Sequence, residues 1–187
     1  GNLGIGHVRY PTAGGVGKEF AQPMYVNAPY GISLAHNGNL TNSKKLAAEL
    51  FHAERRHINT ESDSEVLLNI LALELSKQEA VFPKPKDYFS AIEKTHMRIN
   101  GAYAVVALIT GYGILGFRDP LGIRPLTIGV RKGKNRNEYI ISSETALFSA
   151  LGYKFLRAID TGEAVFIDNS GKIFSHQCSS ASSTNTC

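Results

Sequence analysis

Ala102-Tyr-Ala-Val-Val-Ala-Leu-Ile-Thr110, followed by Gly111-Tyr-Gly113 and Ile114-Leu-Gly-Phe-Arg118, marks where the apolar period of this chain changes from helix to strand. The first piece is the longest apolar run and has a strand's length, well short of the ~20 residues that a membrane-spanning helix requires. The glycine-flanked Gly111-Tyr-Gly113 fits a hairpin turn, so the two pieces read as antiparallel neighbours. Toward the C-terminus, strands are expected at Pro125–Arg131 and Glu138–Ser142, a short helix near Thr145–Leu151, and a strand at Phe155–Ile159. A last hairpin, Ala164–Ile167 with Ile173–His176, turns on Asn169-Ser-Gly171. Toward the N-terminus, a helix from about Asp87 to Ile99 carries Phe89, Ile92 and Met97 inward, and Pro83 and Pro85 close the region before it.

That region opens with Ser62-Asp-Ser-Glu65, a capping-box pattern running into Val66, Leu67, Ile70, Leu71 and Leu75. An earlier helix is capped by Thr41 and runs to about Arg55, with Leu46, Leu50 and Phe51 on one face. Before it, a strand Ile32–His36 follows a turn at Asn27–Gly31 and is broken by Asn37-Gly-Asn39. Pro11–Lys18 is a Gly-rich loop, and Ile5–Tyr10 is strand-like. A domain seldom starts in mid-strand, so further sequence is expected ahead of Gly1. Helices in the middle with hairpin-linked strands on both sides define an α+β class, antiparallel sheets covered by helices. No internal repeat is visible.

The bulk numbers narrow the function. A length of 187 residues accommodates one domain with a sizeable core, and 43% hydrophobic with 19% charged residues is an ordinary globular balance. The net charge of +4 and isoelectric point of about 9.1 invite a nucleic-acid reading. The basic residues are scattered, however, and Arg131–Arg136 falls at a hairpin tip with no nucleic-acid-binding motif beside it. No nucleic-acid partner is expected. The first residues lack signal-peptide order, so cytoplasmic residence is the default and no membrane contact is expected. Cys178 and Cys187 stand in or near the Ser-rich tail Ser179–Thr186, in neither disulfide-framework nor C-x-x-C spacing, and the six histidines show no metal-ligand spacing.

Four clusters carry polar groups where a strand ends or a helix begins. Arg9 leaves the first strand and can present its guanidinium fork to a carboxylate, or serve as a surface ion-pair residue. Asn37 and Gly38 offer a side-chain amide beside a backbone N–H, two donors able to converge on an oxyanion, or simply a turn. Asp63, in a helix's first turn, can pair with a ligand ammonium or favour the helix dipole. Arg118, Asp119 and Arg124, within Phe117-Arg-Asp-Pro-Leu-Gly-Ile-Arg-Pro-Leu126, can interlock as an ion-pair network or stabilise a β-turn.

Taken in order, Gly6-His-Val-Arg-Tyr-Pro-Thr12, Ala35-His-Asn-Gly-Asn-Leu40, Ser62-Asp-Ser-Glu65, Gly101-Ala-Tyr103 and the Phe117–Leu126 segment closely resemble the glutaminase domain of the amidophosphoribosyltransferases (glutamine phosphoribosylpyrophosphate amidotransferases). The likeness runs from about Gly4 to Cys187. The His-Asn-Gly element is shared by all N-terminal-nucleophile (Ntn) amidotransferases. The Arg-Tyr-Pro-Thr and Arg-Asp-Pro-x-Gly-x-Arg-Pro-Leu wording points to the purine enzymes rather than to glucosamine-6-phosphate synthase, asparagine synthetase or glutamate synthase.

The resemblance implies a four-layer α-β-β-α Ntn-hydrolase sandwich. It also implies a mechanism in which an N-terminal Cys attacks the glutamine amide, its own α-amino group acting as base, to give a glutamyl thioester and ammonia. Asn37 and Gly38 match the oxyanion hole, Arg9 the grip on the substrate α-carboxylate, and Asp63, with the Gly38 carbonyl, the acceptor of the α-ammonium. Tyr10 and Thr12 lie in the loop that closes over glutamine. The nucleophile and several dozen residues after it are expected upstream of Gly1. A phosphoribosyltransferase domain, with its phosphoribosyl pyrophosphate and Mg2+ sites, is expected past a junction near Cys187.

By itself this polypeptide is expected to bind glutamine weakly and not to hydrolyse it. No cofactor is expected in this domain and no iron–sulfur cluster is assigned to it. The implied partners are glutamine, the phosphoribosyltransferase domain of the same chain and, at full length, further copies in a homo-oligomer. The alternatives are a non-catalytic ligand-binding or assembly module, or the glutaminase domain of another Ntn amidotransferase such as glucosamine-6-phosphate synthase.

Overall fold

The computed structural model describes residues 2–9, 17–78, 80–134 and 136–179. After a 3-10 turn at Lys18–Phe20 the elements are β1 (Met24–Val26), β2 (Ile32–Leu40), α1 (Ser43–His52), α2 (Asp63–Ser76), α3 (Pro85–Arg98), β3 (Gly101–Ile109), β4 (Gly113–Arg118), β5 (Thr127–Lys132), β6 (Asn137–Ser142), α4 (Ala146–Ala150), β7 (Lys154–Ala158), β8 (Glu163–Asp168) and β9 (Ile173–Gln177). One antiparallel sheet has the order β1-β2-β3-β4-β8-β9 and a smaller one the order β6-β5-β7.

Alternation along the strands sorts the two faces of the large sheet. Tyr103, Val105, Ala107 and Ile109 of β3, with Leu115 and Phe117 of β4, pack into the core under the helices. Ala104 of β3 and Val165 and Ile167 of β8 point the other way, against Ile128 and Ile159 beside the small sheet. On the far side of that sheet Phe148 of α4 is buried, close enough to Gly129 that a Cβ there would lie 3.1 Å away. The layers are therefore helices, sheet, sheet and a short helix, the four-layer α-β-β-α sandwich. Helix α2 is buried on all sides from Ser64 to Leu75, because α1 and α3 flank it and the sheet lies beneath. Buried Glu74 of α2 receives Arg98 of α3 at 2.7 Å, and Arg98 also reaches Glu49 of α1 at 2.6 Å, one cation joining three helices.

Several local expectations are corrected. Leu3, Ile5, His7 and Arg9 are half-buried in alternation with exposed neighbours, as in an extended chain, yet residues 2–9 join no sheet. Asn37-Gly-Asn39 does not break its strand, since β2 stays in register with β3 from Ile32↔Ile109 to Leu40↔Gly101. Asn42, not Thr41, precedes α1, and its side chain bonds Arg98 O and Asn100 N–H across to the end of α3. Ser62 caps α2 by accepting the Ser64 N–H. Glu65 does not complete the capping box: its carboxylate takes the backbone and side-chain donors of Asn59 and Thr60 at 2.7–2.9 Å. Pro85 opens α3 rather than closing α2, as suits a residue with no N–H to leave unpaired. Met97 and Phe51 are exposed, the apolar stripes being carried by Tyr88, Phe89 and Ile92 and by Leu46 and Leu50. Cys178 is part of the main core rather than of a solvated tail. No helix among the described residues is long and apolar enough to cross a membrane.

Under β3 and β4, His96 Nδ1 lies 2.7 Å from the Tyr103 hydroxyl while its Nε2 has no partner among the described residues. Burial, only partly offset by Asp119, drives the His96 pKa down to about 4 from 6.5. Between these values the unfolded chain takes up a proton that the folded chain refuses. Stability is thus full above pH 6.5 and falls as the pH drops toward 4, by on the order of 3 kcal/mol. Urea midpoints measured across that interval are expected to fall accordingly, and His96→Leu is expected to flatten the slope.

Candidate active site

Strand β1 accompanies β2 only from Val26↔Ile32 to Met24↔Leu34, so beyond Leu34 one edge of β2 has no strand beside it among the described residues. Backbone N–H groups of alternate residues face alternate edges, and those of His36, Gly38 and Leu40 face this open one. Tyr103, opposite Gly38, fits this reading, because it turns its own N–H and C=O away to Asp119. Side chains supply what a strand would have supplied. Gln22 Oε1 accepts the His36 N–H at 2.6 Å, and Asp63 Oδ2 accepts the Leu40 N–H at 2.8 Å. The Gly38 N–H lies between these two anchors, beside the half-buried Asn37. Gly38 has φ +149°, and an added Cβ would run into the Ala102 carbonyl, so no other residue fits without strain. Asn37 and Gly38 are therefore not a turn but part of β2, with the Gly38 N–H at its open edge.

Asp63 is the first residue of α2, and its side chain is 22% exposed. One oxygen ties the helix to β2, and the other lies 3.9 Å from His36 Nδ1. Helix α2 thus brings Asp63 to the same strand end as Asn37 and Gly38. Arg9 lies over the Phe20 ring at 5.2 Å. Burial first and then the Arg9 charge hold His7 below its ordinary pKa, and His7 with the exposed Arg124 works against a proton on buried His36, so these groups share one electrostatic neighbourhood. Tyr10 and Thr12 lie outside the described residues.

The expected Arg118–Asp119–Arg124 ion-pair network is replaced by bonds to backbone. The Arg118 guanidinium donates to the carbonyls of Gly122, Arg124 and Ile159. Asp119, fully buried, accepts N–H groups of Tyr103, Ile123 and Arg124. In a tight loop the peptide groups are nearer than the opposite charge, so the stabilised-turn reading holds.

Sequence reasoning missed Gln22, Ser64 and the use made of His36. A polar residue continuing the every-second-residue series of Ile32 and Leu34, on the same buried face, was a usable signal for His36. Gln22 carried none.

Chemically, the arrangement offers the Gly38 backbone N–H and, next to it in the strand, an Asn37 side-chain amide, with the Asp63 carboxylate nearby and Arg9 and Arg124 in the same electrostatic neighbourhood. It suits a ligand with an anionic end, a cationic end and a carbonyl. Cys178, the cysteine among the described residues, is buried with its thiol pushed up to about 12 by burial and then by Glu93, and is no nucleophile. No group of three or more His, Cys, Asp or Glu residues able to hold a metal occurs among the described residues. Two surface depressions, of about 500 and 410 Å3, lie elsewhere: one around Lys77, Lys84 and Lys86, the other around Asn2, Leu108 and Asn169. Neither collects a comparable set of groups.

The glutamine amidotransferase domain family matches residues 16–150, and the chain belongs to that family. Within it, the chain is 52% identical to the amidophosphoribosyltransferase of Pseudomonas aeruginosa over 97% of its own length and 36% of that protein. It is also 52% identical to that of Escherichia coli K12, over 100% of its own length and 37% of the relative. The chain thus spans little more than a third of these relatives. Among solved structures, the glutamine phosphoribosylpyrophosphate amidotransferase of Bacillus subtilis, complexed with ADP and GMP, aligns with a TM-score of 0.74 at 31% identity, covering 92% of this chain and 34% of that one. A predicted glutamine amidotransferase of Pseudomonas aeruginosa, at 17% identity and a TM-score of 0.56, covers 84% of this chain and 66% of its own and shares the fold.

Gly38→Ala is expected to lower stability by at least about 2 kcal/mol through backbone strain and the clash with Ala102. Asp63→Ala, which strands the Leu40 N–H, should cost about 1–2 kcal/mol, and Asp63→Asn, which keeps an acceptor, clearly less. Urea titration of the three variants checks both orders.

Proposed function

We propose that this chain is the glutamine-hydrolysing part of an amidophosphoribosyltransferase. Ammonia freed here is passed to a phosphoribosyltransferase domain of the same protein, where it displaces pyrophosphate from phosphoribosyl pyrophosphate to give 5-phosphoribosylamine for purine synthesis. One observation carries the reading: the Gly38 N–H faces an open strand edge between the side-chain anchors Gln22 and Asp63, with Asn37 as its neighbour in the strand. That geometry supports an oxyanion hole, since donors aimed at developing charge in a water-poor site are worth about 3 kcal/mol each.

In this reading an N-terminal Cys, supplied by sequence outside the present chain, attacks the glutamine side-chain amide, and its α-amino group takes and returns the proton. Asn37 and Gly38 receive the oxyanion. Arg9, with Tyr10 and Thr12 in the closing loop, holds the α-carboxylate. The Asp63 oxygen not engaged by Leu40, with the Gly38 carbonyl, accepts the α-ammonium. This domain supplies no cofactor, and Mg2+ belongs to the phosphoribosyltransferase domain. The setting is the cytoplasm, and the full-length protein assembles with copies of itself. The half-identity to amidophosphoribosyltransferases over the whole chain supports the choice of acceptor.

The test separates glutamine from ammonia as the nitrogen source in the full-length protein. Asp63→Asn keeps the tie to Leu40 but loses the charge, so the KM for glutamine should rise about 10-fold or more with the ammonia-driven reaction retained. Arg9→Ala should do the same. Equal loss of both reactions, or product from fructose 6-phosphate rather than phosphoribosyl pyrophosphate, would contradict the proposal.

A further inference from the structure

His36 holds a core position, 3% exposed, following Ile32 and Leu34 on one face of β2. Its Nδ1 lies 3.1 Å from Ser64 Oγ. The same oxygen accepts the Gln22 side-chain amide at 3.1 Å, and Gln22 Oε1 accepts the His36 N–H, which closes a ring of three residues. Ser64 Oγ, which receives a hydrogen from Gln22, can give its own hydroxyl hydrogen to Nδ1, and the Ala102 carbonyl on the Nε2 side favours the tautomer that carries the proton of the neutral imidazole on Nε2. Nε2 has no partner of good geometry among the described residues. It points into the space that Gly38 leaves by having no Cβ: an atom built there would lie 2.9 Å from Nε2 and would overlap the Ala102 carbonyl. That carbonyl favours a proton on the ring.

The charged and titratable groups facing His36 are Asp63 on α2, His7 in the N-terminal segment and Arg124 after β4. Burial, with His7 and Arg124, outweighs Asp63 and holds the ring below its ordinary pKa, so it is neutral near pH 7.

We propose that His36 is a positioning residue whose neutral, Nε2-protonated ring, clamped by Ser64 and Gln22, fills the floor beneath Gly38 and fixes the direction of the Gly38 N–H. This rests on the reading of Asn37 and Gly38 as oxyanion donors. His36 acts through the glycine and does not touch substrate. A second ring proton alters the clamp, because Nδ1 turns from acceptor to donor, the Ser64 hydroxyl hydrogen must rotate away, and the charged ring is drawn toward Asp63.

The experiment follows glutamine hydrolysis by the full-length protein against pH, with 15N NMR of the His36 ring. His36→Phe is expected to lower kcat about 10- to 100-fold, the weight of one misdirected oxyanion donor, with the KM for glutamine kept within about threefold. His36→Gln, which keeps an N–H near the level of Nε2 and does not titrate, should recover part of kcat. It should also remove the acid-side loss of activity expected of the unaltered protein as its His36 ring takes up a proton, below the ordinary imidazole range. The NMR spectrum should show a neutral ring protonated at Nε2. A ring protonated at Nδ1, an acid limb unchanged in His36→Gln, or kcat unchanged in His36→Phe overturns this inference alone. Absence of ammonia release by the unaltered protein overturns the functional proposal, and the positioning role with it.

Discussion

An unpaired strand edge must find hydrogen-bond partners, and the edge of β2 beyond Leu34 finds them in side chains. Had β1 continued, the N–H groups of His36, Gly38 and Leu40 would face carbonyls of another strand, and no donor would be left for a ligand. Instead Gln22 closes one end and Asp63 the other. The two anchors hold a short length of backbone straight while leaving its middle open. The candidate site is in this sense an interruption of the sheet, bounded by the residues that make the interruption tolerable.

Such an interruption needs a rigid support, and α2 provides it. The helix is enclosed by α1, α3 and the large sheet, so its first turn has little freedom to move. Ser62 caps that turn, and Glu65 locks the preceding Asn59-Thr60 segment onto it. Burial disfavours the Glu65 charge, but the bonds from Asn59 and Thr60 prevail and hold its carboxyl below the usual value. Asp63 and Ser64 therefore reach β2 from a fixed platform. The buried Glu74, with Arg98 and Glu49, serves the same end from further down the helix by fixing how the three helices lie against one another.

The electrostatics are equally constrained. Asp63 and the positively charged Arg124 both act on His36, and Arg9 acts on His7. Protonating His36 would add a further positive charge in a buried place, and the fold disfavours it. The buried ring of His36 thus stays neutral near pH 7.

The sequence by itself determined the elements. Period-two runs after Ala102, Gly-bearing turns and the capped apolar stretch after Ser62 follow from local sterics and side-chain patterning, and the strands and helices appear within a few residues of where those signals put them. Motif order brought out Arg9, Asn37, Gly38 and Asp63 as candidates. Tertiary structure decided what these groups bond to. Asn37-Gly-Asn39 reads locally as a turn, and only pairing with Ala102–Ala104 keeps it a strand. Glu65 reads as half of a capping box, yet better donors reach it from the preceding loop. Gln22, Ser64 and His36 meet across 42 and 28 residues of sequence, and Asp63 meets Leu40 across 23. Propensity acts over a few neighbouring residues, whereas a buried donor takes whichever acceptor the packed layers bring within 3 Å. That is why the elements could be read from the chain and the hydrogen bonds that build the site could not.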